Sequence, residues 1–529
     1  MITAPLFVTR SMSPYTLPAH RSLDATTLIR RAARYNGARD ALVWESGRRS
    51  YAELMMRVEA VAAAFADRGI GPGDRVALCL RNAPSFLEAY LATLQLGAIC
   101  VPLNFRLAPA ELTFLLKDSG PSLLIADEET ERTVAAAELP ANCPVFVDGS
   151  GRGPGSYEWL VQSGLGRPAP RPSIDLNAPA SLLYTSGTTG APKGVVRSQL
   201  ALCTLIALRQ GAMEIGAESV LLAPTPLFNA GGHEFMLLET LAAGGRVVMR
   251  RRFDVPEIID LVARERITHA YFVPTMGFRL MEAMDRNLAA DWSSLKMWMS
   301  ASAPLPDALR ERIRTRLPHV GLWNSYGITE VGAVSFLRPV DIDRKPGTCV
   351  GRPGVGVEVR CVDDKGEDVA PGQAGEIVCR SPEAMSEYWN NPRATAGTIK
   401  DGWIHTGDIG AIDAEGFLNL LDRLKDIVIT GGDNVYASEV ENHLASCPAV
   451  REVAIIGVPH PEWGECVVAV AVAAEGAVNV EATVQAFARS GLARYKCPKT
   501  VVLVPELPRS EYGKVLKAEL RRQYSGLFQ

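Results

Sequence analysis

The stretch YTSGTTGAPKGVV, Tyr184 to Val196, sets serine or threonine at four positions and glycine at three around a single lysine, Lys193. Glycines let a backbone approach a ligand closely, and the N–H groups of such a loop form a concave site for anions. Hydroxyls add donors and Lys193 adds a point charge, a combination that fits a polyphosphate. The spacing is not that of the P-loop, G-x-x-x-x-G-K-[ST], because Pro192 precedes the lysine and Gly194 follows it. Taken alone the run reads equally as a polar turn, so the surrounding chain decides.

A phosphate loop needs a rigid frame, and the chain supplies one. From about residue 75, short apolar runs alternate with helix-period segments: RVALCL, SFLEAYLATLQLG, AICVPLN, PAELTFLLKDSG and SLLIAD. The alternation resumes beyond the loop, from SVLLAPTPLF and the helix-like HEFMLLETLAAG through RVVMRR, VPEIIDLVARERI and HAYFVP to GLWNSYG. Repeated strand–helix–strand units imply an α/β fold, parallel sheets covered by helices on both faces. Ligands in such folds sit at the carboxyl ends of strands, where both the glycine-rich loop and NSYGITE fall. From about residue 345, alternating residues and turn signals predict antiparallel hairpins in a small barrel-like subdomain. After DRLKD the final hundred or so residues carry their own strands and helices, a small α+β domain. The expected domains are therefore 1–424 and 425–529.

With 529 residues the chain exceeds one ordinary domain. Its net charge of −4 argues against a general nucleic-acid binder. Ten scattered cysteines without a C-x-x-C pair suit reduced, buried thiols in the cytoplasm rather than a disulfide or zinc framework. The first residues lack a signal-peptide core, and no apolar run is long enough to span a membrane. The basic run RVVMRRRFD (Arg246, Arg250, Arg251, Arg252) reads as a solvated strand edge, with contact to a phosphate or membrane surface as the alternative.

YTSGTTGAPKGV, NSYGITE, GWIHTGD, LDRLKDIVITGGDNVYASEVE and PRSEYGK stand in the order and spacing of the adenylate-forming superfamily, which the chain resembles from about residue 25 to 525. PLFNAGG, SEYWNNPRAT and LARYKCPK make it most similar to fatty-acyl and aryl-CoA ligases. That resemblance implies ATP-dependent joining of a carboxylic acid to AMP, release of pyrophosphate, and transfer of the acyl group to the thiol of CoA. Catalysis is then mainly positioning and charge stabilisation. Thr185, Ser186, Gly187, Thr188, Thr189, Gly190 and Lys193 are expected on the phosphates. Glu330, with Thr185 as a second contact, is expected to hold Mg²⁺, an oxygen-seeking ion.

By the same resemblance, Ser302, Ala303, Asn324, Ser325, Tyr326, Gly327 and Thr329 form the adenine wall, with Tyr326 as its stacking ring. Asp408 and Arg423 take the ribose. Lys514 bridges carboxylate and α-phosphate as the catalytic lysine, and Lys425 is the hinge about which the small domain turns. Gly431 and Gly432 then approach the CoA tunnel. Asn229, His233, Val331 and Gly332 line the acyl pocket. Two departures stand out. Asn229 replaces a common histidine and cannot titrate, with His233 one helical turn on as a partial substitute, and Ala437 replaces a common proline. The implied acid is medium-chain, alicyclic or aryl. Alternatives are an enzyme that loads an acyl-carrier protein and, in another class, a non-catalytic nucleotide sensor. Retention of Lys193, Glu330, Asp408, Arg423 and Lys514 speaks against a sensor. Oligomeric state is not legible.

Overall fold

The computed structural model describes residues 24–185, 192–286, 291–345, 347–430, 433–509 and 515–528. Strand Arg75–Cys79, helix Pro84–Gln95, strand Ile99–Pro102, helix Pro109–Ser119 and strand Leu123–Asp127 follow one another as the apolar runs dictate. Both helices open on proline, whose missing N–H falls where no intrahelical bond is due. The second ends at Gly120, φ 55°, a left-handed cap that glycine adopts without strain.

Strands Ile99–Pro102, Arg75–Cys79, Leu123–Asp127 and Val145–Asp148 run parallel within a seven-stranded sheet. Pro179–Thr185 pairs parallel with the first of these. Lys193–Ser198 then turns back antiparallel on Pro179–Thr185, and Glu387–Tyr388 adds the edge. A fourteen-stranded sheet carries the other half of the large domain. Its parallel run includes Val220–Ala223, His269–Phe272, Met297–Ser300 and Gly321–Ile328. From Gly332–Leu337 onward its strands are antiparallel, among them Trp403–Ile412 and Leu418–Arg423. The hairpins anticipated after residue 345 are thus continuous with the parallel strands.

A third, five-stranded sheet is built from residues beyond 427, with helices Ala437–Leu444, Val480–Gly491 and Lys517–Tyr524 around it. It has its own cores, one around Val428, Leu444, Ile455 and Val484 and one around Ile456, Val470 and Leu520. Among the described residues no helix is long and apolar enough to cross a membrane. All ten cysteines are free and buried.

Two expectations change. The helix read over 233–244 is two pieces, Ala230–His233 and Leu237–Ala243, separated by Met236 at φ 70°. The break delivers buried Glu234 to Arg197, Nε to Oε2 2.7 Å, which an unbroken surface helix would not do. The arginine run is not at a sheet edge, since Arg246–Met249 lies between two strands, although Arg251 and Arg252 are exposed as expected. Arg250 is buried on Glu257 at 2.7 Å, while Arg246, Arg251 and Arg252 lie within 4 Å of Asp40, Asp127 and Glu129.

Candidate active site

The strands on either side of the glycine-rich loop, Pro179–Thr185 and Lys193–Ser198, pair antiparallel. Thr185 and Lys193 are cross-strand partners, with the Thr185 hydroxyl donating to the Lys193 carbonyl at 3.5 Å. In a P-loop a helix follows the loop directly; here a strand intervenes. Lys193 therefore stands at the hairpin base, its Nζ 5.0 Å from the centre of the Tyr388 ring.

Tyr388 lies on the edge strand that pairs with Val195, and its hydroxyl donates to Glu330 Oε1 at 2.8 Å. Glu330 occupies the tight turn between Gly321–Ile328 and Gly332–Leu337, and its carbonyl accepts from Met385 N at 2.8 Å. One tyrosine thus ties the cation of one hairpin to the carboxylate of another. Burial, reinforced by the Glu330 charge, raises the Tyr388 phenol well above its ordinary range, so it stays a donor.

On the opposite wall Asp408 and Arg423 are paired across two antiparallel strands, Nε to Oδ1 3.2 Å. Asp408 is buried, and its Oδ2 accepts from the Tyr326 hydroxyl at 2.7 Å. Each carboxylate oxygen has a second acceptor site, so this pair can still receive two ligand hydroxyls. Thr185, Lys193, Asn229, Gly327, Thr329, Glu330, Asp408, Arg423 and Lys425 all line one cavity of about 1450 Å³. Lys425 sits in the 3-10 turn Leu424–Asp426; partial burial and the Arg423 charge lower its ammonium pKa. Beside it, Asp422 and Asp426 meet the small domain, accepting from Ser438 N at 3.2 Å and pairing with Arg521 at 2.8 Å.

Ser302 also lines the cavity, at φ 69°, a left-handed angle that suits glycine. Its hydroxyl is held 2.6 Å from that of Tyr271. Other expected residues sit behind the wall. The Tyr326 ring packs among Leu183, Val195 and Val331 in an apolar cluster. The Asn324 amide donates to the Cys349 carbonyl at 3.4 Å, and Ala303 and Val331 are absent from the lining. Ser325 and Gly332 border a smaller adjoining cavity.

His233 requires correction: it is fully buried, its Nδ1 2.6 Å from the Leu227 carbonyl and its ring against Phe86 and Tyr90. The helical turn after Asn229 points it into the core, and burial lowers its pKa. It therefore lines neither cavity and is no stand-in for a histidine at position 229. Ser186, Gly187, Thr188, Thr189, Gly190, Gly431, Gly432 and Lys514 lie outside the described residues. Sequence reasoning missed Tyr388, Tyr271, Arg197 and Arg209 as site residues. The motif SEYWNN did mark the segment holding Tyr388.

Residues 29–389 match the AMP-binding enzyme family and residues 439–514 the AMP-binding enzyme C-terminal domain. The chain belongs to this family of adenylate-forming enzymes. It is 38% identical to a feruloyl-CoA synthase of an Amycolatopsis species, over 90% of this chain and 94% of that protein. It is 32% identical to the fatty acid–[acyl-carrier-protein] ligase ScoC of Streptomyces coeruleorubidus, over 96% and 98%. The structure resembles ATP-bound MatB from Rhodopseudomonas palustris with a TM-score of 0.89 at 32% identity, covering 96% of this chain and all of that one.

Proposed function

We propose that this acyl-CoA synthetase, an AMP-forming acid–thiol ligase, activates a medium-chain, alicyclic or aryl carboxylic acid in the cavity between Lys193, Glu330 and Asp408. The observation that carries the reading is the convergence of a cation, a carboxylate and a buried, hydroxyl-accepting Asp408 paired with Arg423 on one space. The substrate carboxylate attacks the α-phosphorus of ATP; the bond to the β-phosphate oxygen breaks and pyrophosphate leaves. The CoA sulfur then attacks the acyl carbon, the mixed-anhydride C–O bond breaks and AMP departs. Lys193, Thr185 and residues 186–190 hold the phosphates, Asp408 and Arg423 the ribose. Ser302, Gly327 and Thr329, which line the cavity, form the adenine side, and Asn229 borders the acid.

Among the described residues no cluster of three or more His, Cys, Asp or Glu side chains could cage a metal ion. A single carboxylate, with one oxygen capped by Tyr388, instead suits Mg²⁺ that arrives on ATP, since this ion is held by one or two carboxylates plus phosphates and water. Glu330 would hold it, with Thr185 nearby, and the ion would offset phosphate charge. Lys514 draws carboxylate and α-phosphate together in the first half-reaction. Rotation of residues 425–529 about Lys425 then removes it and brings Gly431 and Gly432 to the thiol. Free, buried thiols suit a reducing cytoplasm.

Acid-dependent ATP–pyrophosphate exchange tests the first step; its absence with every acid would leave the sensor reading. Similarity to ScoC favours a second acceptor, a carrier-protein thiol. Comparing thioester formation on CoA and on carrier protein separates the two.

A further inference from the structure

A second cavity of about 120 Å³ adjoins the first, sharing Ala230, Gly231, Tyr271, Ser302 and Gly327 with it. A cavity of roughly 150 Å³ holds benzene, so this one admits about one small ring. Glycine keeps it open. A Cβ on Gly231 would stand 3.2 Å from the Tyr271 hydroxyl, and one on Gly332 only 2.9 Å from Arg209 Nη2.

Its inner wall is ionic. Arg197 and Arg209 line it and are almost wholly buried. Arg197 donates to Glu234 and to the carbonyls of Glu383 and Thr329. Arg209 pairs with Glu383 at 2.5 Å and donates to the Glu234 carbonyl at 2.7 Å. A guanidinium has five N–H hydrogens; Arg197 uses three, and Arg209, whose Nε also meets Glu383 and whose Nη1 also meets Glu239, uses four, so each keeps at least one donor to spare. Two guanidinium groups meet the carboxylates of Glu234 and Glu383, and a third carboxyl, Glu239, stands 3.5 Å from Arg209 with its pKa pushed up by burial to about 8. The wall therefore carries no uncompensated positive charge but keeps spare donors.

Resting on the ligase reading above, we infer that this cavity is a distal subsite selecting acids that carry a neutral hydrogen-bond acceptor, a hydroxyl, ether or ketone oxygen, at the end remote from the carboxylate. A hydrocarbon end would desolvate the donors without replacing their bonds. A second carboxylate would meet no uncompensated positive charge.

The test is kcat/KM for 3-phenylpropanoic acid against its 4-hydroxy, 4-methoxy and 4-carboxy derivatives, read by pyrophosphate release. The 4-hydroxy or 4-methoxy acid should exceed the parent by at least about tenfold, and the 4-carboxy acid should not. Arg209→Lys, which keeps the charge but loses the fork, should bring that ratio close to one. Gly231→Val, outside the ion network, should do the same by closing the passage, and it decides the matter if Arg209→Lys does not fold by circular dichroism. Equal rates for parent and oxygenated acids in the natural protein would overturn the subsite while exchange itself upheld the ligase reading. A preference unaltered in the folded variants would also overturn it. Absence of exchange with every acid would sink the ligase reading and the subsite with it.

Discussion

Two arginine–carboxylate arrangements face the same continuous space, and they are built oppositely. At the mouth, Arg423 is 37% exposed and its partner Asp408 5%. At the inner end, Arg197 and Glu234 are 1% and 3% exposed, Arg209 and Glu383 5% and 3%. A pair with an exposed arginine contributes less to stability, because water competes for the guanidinium. A buried pair contributes through what its breaking would leave, an uncompensated charge. The mouth is therefore free to exchange partners with a ligand, whereas the inner end holds its shape and lets only spare hydrogens serve one.

Breaking the inner end should give the largest effect. Glu234→Ala should destabilise the large domain by about 3–5 kcal/mol in urea unfolding, because Arg197 would stay buried without its carboxylate. A loss below about 1 kcal/mol would show that the inner pair does not carry the cost of a buried charge. At the mouth the expected loss is catalytic. Lys514→Ala should slow acyl-adenylate formation by about 10²–10³, the scale for a lost transition-state donor, yet still convert preformed acyl-adenylate and CoA to thioester. Equal loss of both half-reactions in a folded variant would end the division of labour assigned to the small domain.

Arg423→Ala sharpens the contrast. Its stability cost should fall below that of Glu234→Ala, because Asp408 keeps the Tyr326 hydroxyl as a donor, while the KM for ATP rises as a ribose contact is lost. An unchanged KM would remove Arg423 from the nucleotide site. The smallest effect concerns pH. Unfolded, Glu239 ionises near its ordinary range, whereas folded it keeps its proton to about 8. The folded state binds more protons in between, so stability falls as pH rises through that window. His269, pulled down to about 4 by burial, acts oppositely and only below about pH 6.5. The fall in melting temperature between pH 6.5 and 8 should therefore flatten in Glu239→Gln; an identical slope would show that another group is responsible.

What the sequence made legible divides along the same line. Lys193, Glu330, Asp408 and Arg423 sit in short local motifs, and the strand–helix alternation that frames them follows from apolar period alone. Nothing local announces that Arg197, Arg209, Glu234, Glu239 and Glu383 meet, since partners up to 186 residues apart carry no spacing rule. His233 misled for a related reason: helical spacing from Asn229 was right, but Gly231 and Gly232 leave no indication of which side faces the core. The break at Met236 was equally hidden, because the pattern around it is apolar on both sides.

The edge strand Glu387–Tyr388 has a consequence for synthesis. It closes onto Lys193–Ser198 across about 190 residues, bringing Tyr388 to Lys193 and the Glu383 carbonyl to Arg197. At roughly 5–20 residues per second, a ribosome needs on the order of ten to forty seconds to deliver that strand after the phosphate hairpin has emerged. Throughout that interval the nascent sheet presents an open edge with an incompletely paired arginine beside it. Such an edge invites pairing with another chain until Glu387–Tyr388 covers it.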